Sequence, residues 1–305
     1  MGPNKGKVLS SIGYRDGKPH GKHIRAIDER GTYIVLEEGN WSNGLKDGSW
    51  IQRDRKGNVR YELELALGYA KGVQKLYDRD GRLERIVSVG NQRKTWEKTF
   101  ADDGSIETEV SGVFAREAKG KRGETGTKAV SRFRYGIYGA FAHNEWYPTG
   151  CGKSQLITGL KRYYYQSGAG RGKILYESKF KNKMLDGYKK EFWPNGRLKE
   201  LSGFSANKKH GRYACYDDTG QLLLEAKYNR GFPDGRFRRF YSDGRVLCDL
   251  GFSNGILHGL YHYTHQSKMK ELKANGRVSN GYIDGWWCQY DPVGKVVKKW
   301  FSLSG

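Results

Sequence analysis

Long apolar runs are missing from this 305-residue chain. No stretch approaches the about 18 consecutive apolar residues of a membrane-spanning helix. Met1-Gly2-Pro3-Asn4-Lys5 is not followed by the apolar core of a secretion signal. As it stands, the sequence reads as cytoplasmic, or as periplasmic if a leader has been removed. Cysteine is scarce. Cys151, Cys215, Cys248 and Cys288 form no C-x-x-C or other metal-ligand spacing and recur at no fixed place, so free buried thiols acting as small hydrophobes are expected. Hydrophobic residues make up only 36%, and mean hydropathy is −0.82, low for a globular protein and compatible with a single-layered sheet wetted over much of its surface. Acidic residues are outnumbered, 33 against 55 Lys and Arg, leaving a net charge of +22. Such an excess attracts polyanions or an acidic protein with salt-sensitive rates, or it simply keeps an elongated molecule soluble.

What is abundant is glycine, at 43 residues, together with 8 Trp, 21 Tyr and 12 Phe. They recur in register. Gly187, Gly211, Gly235 and Gly259 are spaced by 24 residues. From each of the first three, an aromatic follows five residues on, a second Gly nine on and an aliphatic eleven on. A fixed period in this range marks a repeat architecture. Within each frame the apolar residues alternate, as in Leu222, Leu224, Ala226 and Tyr228, or Val246, Cys248, Leu250 and Phe252. Period two is the strand pattern. Pro194-Asn195-Gly196, Asp218-Thr219-Gly220 and Ser242-Asp243-Gly244 separate the runs, with residues that suit tight hairpin loops. Each frame therefore reads as one β-hairpin, unable to bury its apolar face alone and dependent on its neighbours.

The run Asp186-Gly187-Tyr188-Lys189-Lys190-Glu191-Phe192-Trp193-Pro194-Asn195-Gly196-Arg197-Leu198, its copies at Gly211 and Gly235, and the Tyr228-to-Gly231 return resemble MORN repeats. The variant they resemble is that of the bacterial YwqK-like antitoxin family. The likeness is to the repeat class and covers most of the chain. It implies an antitoxin or immunity role, in which the array grips a cognate toxin, such as a secreted phospholipase or nuclease effector.

In chain order, a weak frame at Gly21 reads as a terminal cap. Clearer frames start at Gly48 and Gly72, and a degenerate one near Thr95. Residues 1–110 thus form N-terminal hairpin repeats. Residues 111–134 are basic, Gly-rich and without alternation, which marks either a disordered insertion or a protruding loop that touches a partner through Lys121 and Arg122. Residues 135–305 resume the hairpins, with frames at Gly159, Gly187, Gly211, Gly235, Gly259 and Gly285. The expected fold is all-β, an elongated twisted antiparallel sheet of about ten stacked hairpins.

Chemical motifs are weak. Gly150-Cys151-Gly152-Lys153-Ser154 lacks the glycine a phosphate loop needs at position 147, where Tyr147 stands, and it follows a hairpin turn. Gly168-Ala169-Gly170-Arg171-Gly172 lacks the βαβ setting of a dinucleotide fingerprint. His20, His210 and His258 each precede a frame glycine and read as turn residues. His262 and His265 are close in sequence but have no third ligand nearby. The repeats leave no stretch of about 100 residues for a catalytic domain. No enzyme activity, metal or cofactor is therefore expected.

The binding candidates are the aromatics and arginines that the repeat does not require. Where aromatics are adjacent, as in Phe192-Trp193 and Phe240-Tyr241, one ring must point outward. Trp193, Arg236, Arg238, Arg239, Tyr241, Tyr263 and Trp287 are the candidate contacts, residue types favoured at interfaces. The expected partner is a toxin or effector protein with an acidic surface, bound by a monomer of this chain. Anionic lipid and nucleic acid are the alternatives.

Overall fold

A computed structural model describes residues 7–29, 31–91, 93–114, 156–265, 271–291 and 295–303. These are almost entirely β-strand, with a single 3-10 turn at Gly168–Gly170 and no α-helix among the described residues. The chain divides into two compact units, Met1–Gly159 and Leu160–Gly305. The first contains β1 (Lys7–Arg15), β2 (Lys18–Glu29), β3 (Thr32–Ser42), β4 (Leu45–Arg53), β5 (Val59–Ala66), β6 (Tyr69–Ala70), β7 (Gly72–Tyr77), β8 (Leu83–Gly90), β9 (Arg93–Phe100) and β10 (Ile106–Phe114). The division falls within β11 (Leu156–Tyr164). The second unit continues with β12 (Ile174–Lys181), β13 (Met184–Phe192), β14 (Leu198–Ser205), β15 (Lys208–Tyr216), β16 (Leu222–Asn229) and β17 (Phe232–Phe240). It ends with β18 (Val246–Ser253), β19 (Ile256–His265), β20 (Glu271–Ser279), β21 (Tyr282–Tyr290) and β22 (Val296–Ser302). Within each unit consecutive strands pair antiparallel, except that β6 and β7 both pair with β5, so the sheet is an open run of hairpins rather than a closed barrel. Of the expected insertion at 111–134, residues up to Phe114 belong to β10. The rest, with Lys121, Arg122, Cys151 and the Gly150–Ser154 run, lies outside the described residues.

Two kinds of turn alternate. One is a two-residue loop with both residues at positive φ, as at Asn254 (48°) and Gly255 (87°), the geometry that matches the right-handed strand twist. The other closes around Gly220: Gly220 N–H donates to Asp217 O at 3.1 Å, and Asp217 N–H to Gln221 O at 3.0 Å. There the Asp217 carboxylate accepts the backbone N–H groups of Thr219 and Gln221. Asp54 and Asp78 do the same in their turns.

The frame-opening glycines are not turn residues, and neither are the histidines before them. His20, His210 and His258 lie inside β2, β15 and β19. The register explains why. Ser202 pairs with Tyr213 and Phe204 with Lys209, so His210, Gly211 and Arg212 face the single residue Gly203. This is a special bulge of three residues against one, and Gly211 sits in it at φ 81°. A Cβ on Gly203 would collide with the His210 carbonyl oxygen. The sequence alternation shows a strand and a glycine but not the extra residues opposite it, so bulge and turn look alike there.

The residue before the frame glycine ties one hairpin to the next. Asp186, Asp234 and Asp47 accept the first backbone N–H of the following two-residue turn, at Ala206, Asn254 and Leu67. His258 does so through Nδ1 for Asn280, at 3.4 Å. Backbone bonds run alongside, such as Gly231 N–H to Lys209 O and Gly255 N–H to Pro233 O, both 2.8 Å. The 24-residue period is thus a hydrogen-bonding period as well as a packing one.

The first unit has the denser core: Trp50, Leu63, Leu65, Ala70, Leu76, Val87 and Val89, flanked by Trp41 and Tyr61. In the second unit the buried side chains are fewer, including Ala214, Ala226, Cys248, Val278 and Trp287.

Candidate partner-binding surface

Strand alternation gives the second unit two chemically different faces. Along one, Tyr213, Ala226, Phe237, Leu250 and Tyr261 are successive cross-strand partners. The aromatics two residues after the frame glycine recur here because each bulge resets the register in the same way. Their rings pair edge to face, Tyr213 with Tyr228 at 5.8 Å and Phe237 with Phe252 at 5.9 Å. Along the other face, Ala214, Glu225, Arg238, Asp249, His262 and Asn275 are successive partners. Opposite charges directly across a sheet stabilise it modestly, and here they are joined. Arg238 pairs with Glu225 directly across from it, and Arg236, which stands opposite Gly251, reaches diagonally to fork onto Asp249, with Nε at 2.8 and 3.0 Å from its two oxygens. The Arg236 bond holds the Asp249 carboxyl below its ordinary range, against the opposing effect of burial.

The run Arg236-Phe237-Arg238-Arg239 is therefore split. Arg236 and Arg238 lie on the charged face and are committed to carboxylates. Arg239 lies on the aromatic face, opposite Leu224 and Cys248. It is exposed and has no ion-pair partner among the described residues. Trp193 and Tyr241 serve as links between hairpins. Trp193 Nε1 donates to Tyr216 O at 3.1 Å, with Lys199 Nζ 4.8 Å from its ring centre. The Tyr241 hydroxyl donates to Thr264 O at 3.3 Å. Both rings are half-buried. Tyr263 is exposed at 36%, opposite Cys248 on the aromatic face. Trp287 is buried, near Tyr261 and stacked on Trp300, with Nε1 donating to Arg277 O at 2.8 Å. The outward member of that pair is Trp286, 60% exposed and edge-on to Phe301. Alternation identifies one outward ring in each adjacent pair; which one depends on the bulge, and so on tertiary pairing.

Other polar clusters have readable chemistry. Glu177 accepts Arg162 Nε and the Tyr188 hydroxyl, each at 2.7 Å. Burial would raise its pKa, but these bonds bring it below the ordinary value. Cys215 donates to the Tyr213 hydroxyl at 3.1 Å, and burial pushes both groups up, keeping the thiol protonated at neutral pH. Sequence reading misses a buried ionic cluster in the first unit. Glu37 meets Lys46, Arg25 Nε at 3.4 Å and His23 Nε2 at 3.8 Å, beneath Trp41 and Trp50. These residues come from three strands, and no local spacing marks them. Among the described residues, no three His, Cys, Asp or Glu side chains are grouped to hold a metal ion.

No protein-family model matches the chain, and no curated protein matches its sequence. No helix among the described residues is long and apolar enough to cross a membrane.

Proposed function

We propose that this chain is a binding protein of the immunity type, whose hairpin array grips an acidic protein and acts by occupying it rather than by chemistry. The observation that carries the reading is the distribution of charge. On the charged face of the second unit, Glu225 and Asp249 are matched by Arg238 and Arg236. The excess behind the +22 net charge is carried by unmatched surface cations such as Arg239 and Arg277, both exposed. Unmatched surface charge contributes little to folding but steers an oppositely charged partner. The likeness of the 24-residue frame to the YwqK-like variant of MORN repeats makes that partner a bacterial toxin or effector. That step is analogy at the level of the repeat class. The free thiols Cys215, Cys248 and Cys288 suit a reducing compartment, which favours the cytoplasm.

The test is capture of partners from the native cell with the tagged chain, followed by light scattering on the recovered complex. The reading expects one acidic protein in stoichiometric, salt-sensitive association. Recovery of nucleic acid or anionic lipid alone, with no protein, would refute it.

A further inference from the structure

The charged face carries a groove of about 440 Å³ on β18 to β21, lined by Asp249, Leu260, His262, Asn275, Arg277 and Trp286. Its walls are apolar and exposed: Leu260 is 64% and Trp286 60% accessible. Its polar groups are mostly donors. The Asp249 carboxylate is occupied by the Arg236 fork. Asn275 accepts the Tyr290 hydroxyl through Oδ1 at 3.4 Å, which leaves its amide N–H groups to donate. Arg277 is exposed and makes no ion pair among the described residues. Asp284 stands opposite Arg277 in register but does not reach it as an ion pair. A further cation, Lys299 Nζ, lies 4.8 Å from the Trp286 ring centre.

We propose that this groove seats an acidic segment of a partner protein, with a carboxylate on Arg277 and a neighbouring apolar side chain between Leu260 and Trp286. The inference rests on the protein-binding reading above and gives it a location. Charge complementarity selects the occupant: Arg277 and Lys299 are positive, and the Asp249 carboxylate is already answered. A guanidinium fork matches a carboxylate in shape as well as charge, and an exposed Trp beside Arg is the composition of an interface anchor. A nucleic acid fits less well. Base stacking needs an open ring face beside a track of cations, whereas Trp286 has Phe301 against it and Lys299 over its ring.

The probe is a short fluorescent peptide alternating Glu with Phe and Leu, read by anisotropy against the full chain at low salt. A Gln-for-Glu peptide, phosphatidylglycerol vesicles and oligo-dT serve as competitors. The wild type is expected to bind the Glu peptide about tenfold or more tightly than the Gln peptide. Arg277→Glu abolishes that preference, Arg277→Gln reduces it, and Trp286→Ala weakens both peptides. Circular dichroism and melting curves check that each variant is folded; Arg277→Gln carries the test if Arg277→Glu is not. Equal binding of the two peptides, no effect of folded Arg277 variants, or displacement by vesicles or oligo-dT at lower concentration than by peptide overturns the proposal. The two readings fail separately. A native protein complex that survives Arg277→Gln removes the groove and leaves the immunity reading. Arg277-dependent peptide binding with no native protein partner does the reverse.

Discussion

Glu37 in β3 offers the sharpest test of how this sheet tolerates charge. It is 3% exposed, as is Lys46, which binds it. Burial alone would raise the Glu37 pKa. The nearby His23, then Lys46 and Arg25, more than reverse this and bring it from 4.5 to about 2. Lys46 moves against its partner's gain: burial lowers its pKa despite the adjacent carboxylate. The two shifts oppose each other, so the carboxylate's shift alone overstates the net worth of the pair. At about 1.4 kcal/mol per pH unit, the Glu37 shift sets an upper limit of roughly 3 kcal/mol. Because the folded pKa lies below the unfolded one, this contribution is complete above pH 4.5 and is lost as pH falls towards 2. Glu37→Gln keeps the shape but strands Lys46 in the interior without its carboxylate, at a cost of about 3–5 kcal/mol. Lys46 keeps the Trp50 ring, 3.8 Å from Nζ, as partial compensation. The double variant Glu37→Gln/Lys46→Met is expected within about 1 kcal/mol of wild type, because an apolar replacement of a buried pair is often neutral. Urea unfolding followed by tryptophan fluorescence reads this directly, since Trp41 and Trp50 lie in the cluster. Amide exchange should place the loss in β2 to β5, as expected where each hairpin depends on its neighbours. A single variant within about 1 kcal/mol of wild type, or a double variant no better than the single, would refute the reasoning. So would an unchanged acid-unfolding profile in Glu37→Gln.

Two further outcomes follow from the bulges and the links between hairpins. Gly203→Ala should cost about 2–3 kcal/mol, because its Cβ meets the His210 carbonyl. Gly211→Ala, in open space at φ 81°, should cost only about 1–2 kcal/mol; equal losses in denaturant melts would show that the close approach is not limiting. Trp193→Phe keeps the ring but removes the donor to Tyr216 O and should cost about 1 kcal/mol, with faster amide exchange in the turn at Asp217–Gln221. No change in that turn would mean that Trp193 is not a link between hairpins.

The strands and their boundaries were legible because alternation and turn chemistry are local. Leu222, Leu224 and Ala226 announce β16, and Asn254-Gly255 announces the loop between β18 and β19, before any partner is known. The second glycine of a frame also reads as a turn residue and lies in a turn at Gly196, Gly220 and Gly244. The first does not lie in one. Gly211 and Gly220 look alike in sequence, yet one lies in a bulge and the other in a loop, and only the strand opposite distinguishes them. The same register decided the surface. Arg236 and Arg239 are neighbours in sequence but face opposite sides, and in the Trp286-Trp287 pair it is Trp287 that is buried.

By itself, then, the sequence determined an all-β chain of hairpins on a 24-residue period, with an excess of positive charge to place. These follow from residue spacing and composition, which no partner strand can alter. The tertiary structure decided which charges are answered and which rings are covered. It gathered Glu37, Lys46, Arg25 and His23 from three strands, and it assembled Leu260, Arg277 and Trp286 around one groove. Those groupings depend on a bulge that shifts the register opposite Gly203 and its counterparts, and on cross-strand contacts between residues far apart in the chain.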